Sequence, residues 1–116
     1  MRILISVDLE GIAGVPGRED IMPGNVNYER FRRQTTQEAN AAVDGAFDAG
    51  ADSVVVNDSH GRMRNLLYEE LDPRAELISG HNKVLKFLRR KWPVFGVTSR
   101  EGGPKIRSTG GQLGHL

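Results

Sequence analysis

The sequence predicts an α/β layered domain around a mainly parallel central sheet, and three of its features carry that expectation. Two β-branched and aliphatic runs, Ile3-Leu4-Ile5-Ser6-Val7 and Ser53-Val54-Val55-Val56-Asn57, have the length and composition of strands buried on both faces. Between them, Tyr28, Phe31, Thr35, Ala39, Ala42, Val43, Ala46 and Phe47 recur at the three- and four-residue spacing of one helix. Each strand is followed by a polar cluster, Asp8 and Glu10 after the first and Asn57-Asp58-Ser59-His60 after the second. A strand, a crossover helix and a second strand make a right-handed unit with parallel strands, so both clusters fall on one edge of the sheet. Open α/β sheets bind ligands at that edge.

The first run delivers its carboxylates together. In extended backbone, residues two apart point the same way, which predicts that Asp8 and Glu10 project side by side. Adjacent carboxylates repel unless a proton or cation lies between them. Alone, Asp-x-Glu after a strand is equally a solvated strand end with a capping Asp. Residues 11 to 27, with Gly11, Gly14, Pro16, Gly17, Pro23 and Gly24, read as a long loop over these carboxylates. The helix is expected from Asn27 to Ala49-Gly50, its polar side with Glu29, Arg32, Arg33, Gln37, Glu38 and Asp44 being solvated surface.

Beyond the second strand, Asn65 to Leu71 reads as a short helical turn stopped at Asp72-Pro73, and Ala75 to Gly80 as a third strand. His81 to Lys91 has helical periodicity, with Val84, Leu85, Phe87 and Leu88 among lysines and arginines, and Val94 to Thr98 reads as a fourth strand. Residues 1 to 98 are thus read as the α/β domain and 99 to 116 as a glycine-rich irregular tail with too little apolar surface for an ordered element.

Composition narrows the chemistry. With no cysteine, a metal would have to be held by His, Asp or Glu. Asp8, Glu10 and His60 offer the mixed oxygen and nitrogen donors that Zn²⁺ accepts, whereas Mg²⁺ favours oxygen alone. Taken singly, His60 reads first as a satisfied histidine near a helix start, a balance that the two acidic residues at the neighbouring strand end shift, and Asp58 either orients the His60 ring or caps the turn, the first being preferred. The glycines of residues 11 to 17 form neither a phosphate loop nor a dinucleotide fingerprint. The basic stretch from Lys83 to Lys91 reads as a solvated face, so no nucleic-acid partner is expected. No long apolar run and no cleavable leader are seen, so no membrane association is expected and the cytoplasm is the default location. Charge is uneven: residues 1 to 82 hold 8 Lys/Arg against 14 Asp/Glu, and residues 83 to 116 hold 8 against 1.

Several stretches together resemble one family. Ser6-Val7-Asp8-Leu9-Glu10-Gly11-Ile12-Ala13-Gly14, Asn27-Tyr28-Glu29-Arg30, Glu38-Ala39-Asn40, Val56-Asn57-Asp58-Ser59-His60 and Leu77-Ile78-Ser79-Gly80 are similar in order and spacing to the zinc-dependent D-aminopeptidases of bacterial dipeptide-transport operons. The similarity runs to about residue 87. It implies a metallopeptidase that uses two Zn²⁺ ions to cut amino-terminal D-residues from short peptides, working as a ring-stacked homo-oligomer. By position, Asp8, Glu10 and His60 match the family's zinc ligands, and His115, in Ser108-Thr109-Gly110-Gly111-Gln112-Leu113-Gly114-His115, matches its catalytic histidine. The family's further histidine ligand in a Gly-Tyr-His stretch has no counterpart in Ser99-Arg100-Glu101-Gly102-Gly103, and its later glutamate ligand lies past Leu116. Together with the charge reversal, this leads to the expectation of a truncated or frame-shifted chain, hence a complete or a defective enzyme. The alternatives from other classes are a non-catalytic oligomer subunit and a metal-dependent phosphate-ester hydrolase.

Overall fold

The computed structural model describes residues 1–12, 14–15, 17–80, 94–100 and 103–108, the last two ranges as backbone. Its strands are β1 (Arg2–Val7), β2 (Ser53–Asp58), β3 (Ala75–Ile78), β4 (Val94–Arg100) and β5 (Gly103–Ser108), and its long helix is α1 (Tyr28–Asp48). They form one five-stranded sheet in the order β3-β2-β1-β4-β5. All neighbours are parallel except β4 and β5. The α/β, mainly parallel architecture is as the sequence predicts.

Register sets the position of the polar clusters. Val7 is level with Asp58 on β2 and with Val97 on β4, so the carboxyl ends of the three central strands share one edge. Ile3, Ile5 and Val7 of β1 and Val54 and Val56 of β2 turn toward α1, where they bury Ala39, Ala42 and Val43. On the opposite face Leu4 and Val55 are buried as well, which accounts for apolar residues on both faces of β1 and β2.

The helix ends where its chemistry requires. Gly50 adopts φ 99°, and the N–H groups of Gly50 and Ala51 donate to the carbonyls of Phe47 and Ala46, the paired bonds of a left-handed glycine cap. The segment from Asn65 to Leu71 supplies a 3-10 turn at Tyr68–Glu70, with Leu66 and Leu71 sunk into the core.

Two expectations are revised. β4 continues through Arg100, and the stretch read as irregular tail contains β5, paired from Phe95↔Ser108 to Arg100↔Gly103. A sheet-edge strand is held by its backbone ladder and needs little apolar side-chain surface, and an edge also tolerates Pro104. The helix expected over His81 to Lys91 lies outside the described residues.

Candidate metal centre

β1 ends at Val7, and Asp8 is the last extended residue, at φ −132° and ψ 136°. The chain then enters a 3-10 turn, Leu9–Gly11, closed by N–H bonds from Gly11 to the Asp8 carbonyl and from Ile12 to the Leu9 carbonyl. Glu10 therefore sits in a turn rather than on an extended strand, contrary to the alternation argument. Its carboxylate still reaches the Asp8 side because the tight turn folds the chain back over the strand end.

His60 arrives from β2. The Ser59 N–H and hydroxyl both bond the Val7 carbonyl, at 2.9 and 2.7 Å, which continues the parallel pairing one residue past the strand. The His60 ring is buried, with Nδ1 at 3.1 Å from Asp8 Oδ1 and 2.8 Å from Glu10 Oε2. One donor atom from each of Asp8, Glu10 and His60 lies within 4.8 Å of the others. The carboxylates are half-exposed, so the cluster opens to solvent on the side away from the ring.

The far ring nitrogen fixes the tautomer. His60 Nε2–H donates to the Ile21 carbonyl at 3.0 Å. A carbonyl can only accept, so Nε2 carries a hydrogen and Nδ1 is left to bear either a lone pair for a cation or a second proton shared with the carboxylates. Ile21 ends a 3-10 turn, Glu19–Ile21, inside the long loop, and its side chain is fully buried with Leu9 and Phe31. Leu9 lies between Asp8 and Glu10 in sequence, so one small apolar cluster positions both the carboxylate turn and the ring's acceptor.

The electrostatics are those of a crowded anionic site. Burial, with the hydrogen bond and charge of Glu10, pushes the Asp8 carboxyl up to about 6, against the opposing pull of His60. Glu10 is driven the other way, to about 2, first by its hydrogen bond from Asp8 and then by its own backbone and His60, burial opposing. Of the two, Asp8 is the carboxyl that keeps a proton longer and Glu10 the one that releases it first. Burial alone would depress His60, but the Ile21 carbonyl, Glu10 and Asp8 outweigh it and raise its pKa. A divalent cation held here would take the place of protons on Asp8 and His60 with charge of the same sign. Two carboxylate oxygens and one imidazole nitrogen converging on a point also suit a borderline ion such as Zn²⁺.

Asp58 has a different place from the one preferred on sequence. It accepts from the N–H groups of Asn65 and Leu66, at 2.5 and 2.8 Å, and from Asn65 Nδ2 at 2.8 Å. It caps the returning loop, and the ring partner is the Ile21 carbonyl. Asn65 joins the two parts, because its Nδ2 also donates to the His60 carbonyl at 2.6 Å and its Oδ1 accepts from the Tyr28 hydroxyl at 2.5 Å. Next to it, Gly61 and Met63 hold positive φ, at 50° and 59°. Strain of this kind in a non-glycine residue persists only where its surroundings impose it.

A stripe on α1 that looked partly solvated grips the same loop. Arg32 Nε donates to the Asn65 carbonyl at 2.8 Å, Thr36 Oγ1 accepts from the Leu67 N–H at 3.0 Å, and Asn40 bonds both the Glu70 carbonyl and the Asp72 N–H at 2.7 Å. With Tyr28, these residues are spaced by four, and that regular polar spacing was the available signal. His115 and His81 lie outside the described residues.

A cavity of about 480 Å³ opens beside the cluster, lined by Glu10, Arg18, Met22, Pro23, His60, Gly61, Arg62 and Asn65.

Comparison with known proteins bears on this arrangement. Residues 1–90 match the family model of peptidase M55, D-aminopeptidase. Over 115 residues, 99% of the chain, the sequence is 48% identical to the D-aminopeptidase of Bacillus subtilis strain 168, and it spans 42% of that relative's length. The solved structure of the Zn-dependent D-aminopeptidase DppA from Bacillus subtilis, described as a self-compartmentalizing protease, aligns with a TM-score of 0.69 at 48% identity. That alignment covers 72% of this chain and 30% of the solved one.

Proposed function

The chain belongs to the D-aminopeptidase family, and from that premise we propose that it serves a zinc-dependent aminopeptidase that releases amino-terminal D-residues from short peptides. The observation that carries the reading is the convergence of Asp8, Glu10 and His60 at the carboxyl ends of β1 and β2, with Nδ1 of the ring freed by the Ile21 bond. These three residues would hold Zn²⁺, two ions in a complete site. Bound zinc supplies Lewis acidity toward the scissile carbonyl and a water acidic enough to attack it near neutral pH.

The chain's own groups do the rest. The half-exposed edges of Asp8 and Glu10 leave the cluster open on one side, where a substrate can lay its amino-terminal peptide bond over it. The Ile21 carbonyl keeps the ring from rotating, and the adjoining cavity, within the roughly 300–1,000 Å³ range of small-molecule sites, favours a short peptide over a folded chain. His115 is assigned, on family resemblance, to proton transfer or to stabilising the oxyanion.

A homo-oligomer and a cytoplasmic location belong to the same proposal. Support for assembly comes from the self-compartmentalizing character of the B. subtilis relative and from Val26 and Tyr68, which stand exposed. Among the described residues no helix is long and apolar enough to cross a membrane.

The test is a substrate panel on zinc-loaded protein: D-alanyl peptides, their L-counterparts and a phosphate monoester. Zinc-dependent release of D-alanine alone is the expected result. Preferential phosphate release would assign the site to ester hydrolysis, and zinc uptake with no turnover of any substrate would assign the chain a non-catalytic role.

A further inference from the structure

We infer that Arg18 and Arg62 form a carboxylate anchor that selects peptides by their free C-terminal group, an inference that rests on the aminopeptidase reading above. Both arginines line the cavity that Glu10 and His60 open into. They come from different segments, Arg18 at the start of the 3-10 turn that ends in Ile21, and Arg62 two residues after His60. The same backbone that sets the metal cluster therefore sets them.

Their lack of partners is informative. Among the described residues neither guanidinium forms a hydrogen bond or ion pair, whereas Arg32 is paired with Glu29 and Arg74 with Asp44 and Asp72. The carboxylate on the same cavity lining, Glu10, is already committed to His60 and Asp8. A cation on the cluster would engage Glu10 further and leave two guanidinium groups, both on exposed residues, on the lining of one cavity. A planar fork of N–H donors matches a carboxylate in paired hydrogen bonds. A short peptide bound with its first peptide bond over the cluster carries one such group, at its other end, which an amide or a longer chain does not present at the same place. The pair then acts as a ruler for substrate length.

The experiment uses a D-alanyl-D-alanine analogue with the scissile carbonyl reduced to methylene, as free acid and as C-terminal amide, titrated calorimetrically into zinc-loaded protein. Zinc content is measured on every sample. The wild type should bind the acid roughly tenfold or more tightly than the amide, as expected for charge-assisted hydrogen bonds. In the Arg18→Gln, Arg62→Gln double variant the ratio should fall toward one at unchanged zinc content, and Arg62→Lys should restore part of it. Equal binding of acid and amide by the wild type, no saturable binding of either, or an unchanged ratio in the double variant would overturn the inference. Tighter binding of inorganic phosphate than of the free acid, lost in the double variant, would also overturn it by assigning the pair to phosphate. A wild type that takes up no zinc contradicts the metal centre instead, and the acid-to-amide ratio on that same sample still decides the role of the arginines.

Discussion

The carbonyl oxygen of Ile21 accepts a hydrogen bond from Nε2 of His60 at 3.0 Å, across 39 residues of sequence. A backbone atom in a loop thus decides which nitrogen of a buried histidine faces the carboxylates of Asp8 and Glu10. Among the described residues the apolar cluster that holds Ile21 consists of Leu9 and Phe31, with Val15 and Tyr28 at the margin.

Truncating this anchor should damage the metal site from a distance. Ile21→Ala removes a fully buried side chain, and such changes cost about 2–5 kcal/mol. Urea denaturation of the metal-free protein should show a loss in that range. Zinc affinity of the fraction that remains folded should fall about 10- to 100-fold, as for loss of a partner that orients a ligand. Unchanged zinc affinity in the folded variant would show that the Ile21 carbonyl does not orient the ring.

Asn65 offers a second point of attack. Its side chain satisfies Asp58, the His60 carbonyl and the Tyr28 hydroxyl at once. Asn65→Ala should destabilise by about 1–3 kcal/mol, because the buried Asp58 loses a donor. Tyr28→Phe, which removes one hydroxyl at a half-buried position, should cost about 1 kcal/mol. Equal urea midpoints for the two variants would contradict the ordering.

The pH dependence should reverse when metal binds. His60, with its pKa raised, stabilises the metal-free fold below its unfolded value and loses that contribution as pH climbs through its folded one. Asp8, raised from 3.8 to about 6, likewise favours the fold while protonated and loses the advantage over that interval. Glu10, lowered from 4.5 to about 2, contributes above 4.5 and is lost only in strong acid. Metal-free protein should therefore be more stable at about pH 5 than at about pH 8, while zinc-loaded protein, whose ligands must be deprotonated, should show the opposite order. Thermal melts at both pH values, with and without zinc, make the comparison.

The elements that sequence made legible are those whose side chains carry the signal. Ile3 to Val7, with Ser6 the one polar residue, and Val54 to Val56 are apolar because both faces of β1 and β2 are covered, and α1 repeats its apolar residues at helical spacing until Gly50 ends it. Asp8, Glu10 and His60 were legible as a group because parallel strands put their polar ends on one edge. The route of Glu10 was not, since nothing in Leu9-Glu10-Gly11 distinguishes an extended strand end from a 3-10 turn. The Ile21 carbonyl left no trace at all, because a backbone acceptor is the same in every residue. Asp58 misled for a related reason: its partners at Asn65 and Leu66 are largely backbone N–H groups. β5 was missed because an edge strand is specified by its ladder more than by its composition.

The most direct test of the metal centre is the zinc content of chelator-cleaned and reloaded protein, wild type beside Asp8→Asn and Glu10→Gln. Asp8 leaves the end of a buried strand and is proposed as the carboxylate shared by two ions, so Asp8→Asn should abolish bound zinc and Glu10→Gln should reduce it. Wild-type zinc content in Asp8→Asn, with the fold intact by circular dichroism, would contradict the account.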